Sequence, residues 1–117
     1  MKVMVRNRTR NTVLGTSVDL ADTSATRRTG LLKHTSLAKG EGLWIVPCES
    51  VHTFFMKFPI DLVYIDRRHK VRKVRSAVPP WRLSACLPAH SVLELPAGTA
   101  QETGTQVGDE LELEKLG

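Results

Sequence analysis

The chain has 117 residues, 41% of them hydrophobic and 25% charged, with a net charge of +5. That size and balance fit one globular domain with a single core and exclude a disordered chain. Two cysteines exclude a disulfide-dense secreted scaffold, and no apolar run approaches the roughly 18 residues a membrane-spanning helix needs.

Residues 2–5 and 13–20 read as strands on either side of the turn-prone RNRTRNT, with Val18 and Leu20 alternating against Ser17 and Asp19. In the following segment Asp22, Thr23 and Ser24 are candidate helix caps. Arg27, Leu31 and His34 share a face, and Gly40 and Gly42 close the segment, which predicts a helix of about three turns despite Gly30. Strand-like runs follow at 43–46, 51–55, 61–65 and 70–75, separated by Pro47, by Phe58-Pro59 and by DRRH. Both faces of 61–65 are apolar, which predicts a central strand covered on both sides. Val78-Pro79-Pro80-Trp81 is a loop, because consecutive prolines donate nothing to a ladder. A strand at 91–95, a short helix in AGTAQETG and a last strand at 110–116 after the Gly108-Asp109 turn complete the chain. The expected fold is a single α+β domain, 1–117: mostly antiparallel β, a small barrel-like sheet with one main helix and one short C-terminal helix.

Several of these strings together resemble DUF192, a domain family of unknown function. They are TRRTGLL, GEGLWIVPCESVHTFFMKFPIDLVYID, VLELPAGTA and VGDELEL. The residues that carry the resemblance are Arg27, Gly30 and Leu31; Met56, Pro59 and Asp61; Glu94, Ala97 and Gly98; and Gly108 with Asp109. The resemblance implies a compact, mostly β, barrel-like domain with one prominent helix, and no activity. Two positions depart from the family pattern: Leu32 stands where Met is frequent, and His69 where the turn often has Gly.

Chemistry concentrates in CESVHTFFMKFPID, residues 48–61. Asp61 opens an apolar strand, so its carboxylate either accepts backbone N–H bonds that fix the Lys57-Phe58-Pro59-Ile60 turn or serves as a site acid. Cys48, His52 and Asp61 are the residue types of a thiol-based triad, but no local feature lowers the thiol pKa. Cys48-x-x-x-His52 recurs as Cys86-x-x-x-His90, which supplies the donors of a zinc shell. Four residues of extended strand span roughly 13 Å, however, so one metal would need a sharp bend. Free thiols are the expected state, with a Cys48–Cys86 disulfide or zinc as alternatives, and no metal or cofactor is expected. Arg27 is either a surface ion pair or a link from helix to sheet through Glu94. Glu94, between two leucines, either points outward or meets a partner.

Trp44, His52, Asp61, Trp81 and Arg82 are the residues expected to line a binding cleft. The expected function is non-catalytic binding of a small polar ligand or a protein partner. The alternatives are a small hydrolase or transferase using Cys48 or His52 with Asp61, and nucleic-acid or acidic-surface binding through RRHKVRKVR. That string holds six of the 17 Lys and Arg residues but no Phe, Tyr or Trp, so nucleic acid is not expected. A cytoplasmic location is expected, since MKVMVRNRTR lacks the apolar core of an export signal.

Overall fold

A computed structural model of the chain describes residues 1–116. The elements in chain order are β1 (Lys2–Asn7), β2 (Thr12–Ala21), α1 (Ser24–Thr29), β3 (Glu41–Ile45), β4 (Ser50–His52), β5 (Ile60–Ile65), β6 (Val71–Val78), β7 (Leu83–Ala85), β8 (Ser91–Pro96), α2 (Thr99–Thr103) and β9 (Leu111–Leu116). Seven strands form one sheet in the order β6-β5-β8-β3-β2-β1-β9, and β4 pairs with β7 in a separate ribbon. The mostly-β α+β class is the expected one.

The sheet is antiparallel except at β2–β3, which pair in parallel. Parallel neighbours need a long crossover, and residues 22–40 with α1 supply it. The sheet is open, with β6 and β9 as its edge strands. They meet at one end only, through an isolated Lys70–Glu110 bridge and the hydrogen bonds from Val71 N–H to the Asp109 carbonyl and from Gly108 N–H to the Val71 carbonyl, both 2.8 Å.

Alternation along the strands makes two cores, one on each face of the sheet, where a single core was expected. Val3, Val5, Val18, Trp44, Val63, Ile65, Leu93 and Leu95 pack on one face. Leu43, Ile45, Leu62, Tyr64 and Val92 pack on the other, with Leu31 from the α1 segment and Met56 from the turn after β4. All six residues of β5 are buried between β6 and β8, as its doubly apolar pattern predicts.

Two further expectations need correction. The main helix has six residues rather than three turns, because Gly30 takes φ +50° and ends it. Thr23 and Thr26 cap its start reciprocally. The strand expected at 51–55 stops at His52, since Phe55 takes φ +65° in a turn. Residues 83–85, assigned to no element from the sequence, form β7.

Candidate functional site

A cleft of about 380 Å³ opens between α1 and the 47–52 segment that follows β3. Arg27 spans its mouth, donating from Nε to the Thr23 carbonyl and from Nη1 to the Pro47 carbonyl, each at 3.3 Å. Leu31, Ile45, Val51 and Met56 supply apolar wall, and Arg28, Cys48 and His52 line the rest.

Glu94 forms the floor. It stands opposite Leu43 on β3 and Leu62 on β5, so its side chain shares their face of the sheet. It is 4% exposed. Among the described residues no group donates a hydrogen bond to its carboxylate and no ion pair reaches it, while every fully sealed side-chain polar atom has a partner. Its oxygens therefore face the cleft. Burial raises its pKa from 4.5 to about 7. Gly30 brings the end of α1 close, for a Cβ there would stand 3.9 Å from Glu94 Oε1. Gly42 lets β3 lie against β8, since a Cβ would meet the Glu94 carbonyl oxygen at 2.8 Å.

Glu94 thus neither points outward nor meets a partner, and Arg27 pairs with backbone carbonyls instead of with it. A charged residue inside the apolar run VLEL was the available signal. It becomes informative only when β8 is seen to be flanked on both sides.

The five residues expected to share a cleft separate by strand parity. His52 lines it. Asp61 pairs with Leu95 and Trp44 with Leu93, so both belong to the opposite face, and neither lines the cleft. Asp61 is fully buried. Its Oδ1 accepts the Ala77 N–H at 2.8 Å and its Oδ2 the Ala100 N–H at 2.9 Å. The Trp44 indole donates to Ser91 Oγ at 2.9 Å.

Trp81 and Arg82 lie beyond His52. The rings run His52–Phe54–Trp81, with centroids 5.1 and 5.6 Å apart, and Phe55 meets Trp81 edge-on at 4.7 Å. Phe55, Trp81 and Leu83 are exposed. Thr53 fixes this cluster: its Oγ1 donates to the Pro79 carbonyl at 2.7 Å and accepts the Arg82 N–H at 2.9 Å, and its carbonyl accepts the Trp81 N–H at 3.0 Å.

Cys48 donates its thiol hydrogen to the Ser50 carbonyl at 3.1 Å. Burial pushes its pKa up, and the nearby Glu94 charge adds to that, which is the reverse of what a thiolate nucleophile needs. Cys48 and Cys86 are unpaired. Among the described residues, no group of three or more His, Cys, Asp or Glu is placed to hold a metal. The basic 67–75 string is partly occupied internally: Arg72 bonds Asp66, Lys73 the Ala85 carbonyl, and Arg75 the Leu83 carbonyl. Among the described residues, no helix is long and apolar enough to cross a membrane.

Fold and cleft define a small, mostly-β domain with one buried acid beneath a basic rim. The chain belongs to the DUF192 family, described as "Uncharacterized ACR", whose model matches residues 5–113. It is 31% identical over 117 residues to the UPF0127 protein of Thermococcus sibiricus, covering 95% of this chain and 75% of that one. Two solved structures are similar. A Sinorhizobium meliloti 1021 protein proposed to be a transcription regulator has a TM-score of 0.83 at 24% identity, over 96% of this chain and 92% of that one. A protein of unknown function from Novosphingobium aromaticivorans has a TM-score of 0.79 at 25% identity, over 96% of this chain and 84% of that one. Of the residues that carry the family resemblance, Arg27, Gly30, Leu31, Met56 and Glu94 line the cleft.

Proposed function

We propose that the domain binds a small polar ligand in the cleft floored by Glu94 and does no chemistry on it. The supporting observation is the Glu94 carboxylate itself. A buried acid with no internal partner costs stability, and a ligand that satisfies it recovers that cost on binding. The volume lies within the usual range of small-molecule sites. His52 carries the site outward to Trp81 and Arg82, which form its outer flank in this reading. A hydrolase built on Cys48 is disfavoured by a thiol that gives its hydrogen to Ser50 and whose pKa is raised. We place the domain in the cytoplasm, where two unpaired thiols are at home.

The test is an amide NMR titration of the labelled protein with a set of small polar compounds of mixed charge. Shifts clustered at Gly30, Leu31, Ile45 and Val51 are expected. If no compound of any charge type moves these amides, the reading is wrong.

A further inference from the structure

Resting on that reading, we infer that the ligand is a small zwitterion, with an ammonium group against Glu94, an anionic group against Arg27 and Arg28, and a short apolar stem between. The two ends of the cleft are chemically opposite. Its floor offers only carboxylate oxygens, which accept hydrogen bonds and attract a cation. Its mouth offers two guanidiniums. Arg27 uses Nε and Nη1 on carbonyls and keeps other N–H groups for an anion. Arg28 has no ion pair or side-chain hydrogen bond among the described residues and lines the same cleft. Between the ends, Leu31, Ile45 and Met56 favour methylene groups over further polar atoms. About 380 Å³ suits a molecule of amino-acid size.

The charge order has a consequence for protons. The titratable or charged groups around Glu94 are Arg27 and Arg28 from α1, Cys48 and His52 from the segment after β3, and Tyr64 from β5. Tyr64 is held by Ser84 Oγ at 2.9 Å and Cys48 by Ser50. Neither is a cation, and neither arginine makes an ion pair with Glu94, so burial leaves the acid part of its proton near neutral pH. An arriving ammonium favours the ionised form, and the Glu94 proton passes to the buffer. A ligand with only an anionic end gives no such release.

Calorimetry at pH 7 in phosphate and in Tris, whose ionisation heats differ, reads both affinity and proton release. The probes are the zwitterions 4-aminobutyrate, 6-aminohexanoate and L-leucine, with n-butylamine and butyrate as single-charge controls. At least one zwitterion is expected to bind about tenfold or more tighter than either control, with proton release. Glu94→Gln is expected to weaken it about tenfold and abolish the release. Arg28→Gln is expected to weaken the zwitterion and leave n-butylamine unchanged. The inference is overturned if n-butylamine matches the best zwitterion, if the release persists in Glu94→Gln, or if no zwitterion binds while other compounds still move the cleft amides. If no compound moves those amides at all, the cleft reading falls as well.

Discussion

Asp61 Oδ2 accepts the backbone N–H of Ala100 at 2.9 Å across 39 residues of chain. The other oxygen takes the N–H of Ala77, which lies in the stretch of β6 where its register with β5 shifts opposite Asp61. One carboxylate thus anchors the first turn of α2 and an irregular strand edge. Asp61→Ala leaves two backbone donors without their acceptor and is expected to cost about 3 kcal/mol, read by urea unfolding. Compounds that move the cleft amides should bind this variant as before, because Asp61 is on the other face of the sheet. A loss below about 1 kcal/mol would show that the two bonds are dispensable.

Glu94 makes stability fall as pH rises. Its carboxyl titrates at 4.5 in the unfolded chain and at about 7 in the folded one, so between those values the folded state holds the extra proton. The loss across that window is about 3 kcal/mol and is complete above pH 7. Glu94→Gln removes this slope and is expected to be the more stable form at pH 8. Urea unfolding of both proteins from pH 4 to pH 8 checks it, and parallel curves would contradict the account.

Thr53 is nearly fully buried and ties its own turn to the 79–82 loop through both hydroxyl and backbone. Thr53→Val keeps the shape and removes the hydroxyl. A cost of about 1–2 kcal/mol is expected, together with faster amide exchange at Arg82. Unchanged exchange there would mean the backbone bonds alone hold the loop.

Cys48 is expected to alkylate more slowly at pH 7 than an unhindered model thiol, with a rate that climbs as pH approaches its raised pKa. Rapid modification at pH 7 would reopen the nucleophile reading. Tyr64, whose phenol is also pushed up by burial, should stay protonated throughout.

Strand positions were legible because burial on one face writes a period of two into the chain, and β5 because burial on both faces erases it. Errors arose where single residues break a pattern by taking positive φ: Gly30 shortened the helix and Phe55 the strand. His69, standing where the family often has glycine, also takes φ +62° and keeps the turn. The site was half legible. His52 was found, whereas Asp61 and Glu94 were read only from their place in apolar strands: Asp61 as a cap for the 57–60 turn or a site acid, Glu94 as pointing outward or meeting a partner. Both are acids in apolar strands of the same sheet, and only pairing shows that one faces α2 and the other the cleft. Asp61 has two donors from distant segments, which no local reading supplies, and Glu94 has none.

The ring stack from His52 through Phe54 to Trp81 sets Trp81 apart from Trp44 as a second, independent fluorophore. Trp44 sits in the core with its indole N–H bonded to Ser91, so its emission follows global unfolding. Trp81 is 57% exposed at the far end of a stack that begins on the cleft wall, so its emission follows events at His52 while the fold is intact. A Trp44→Phe protein would therefore report cleft occupancy by light alone, with no label attached.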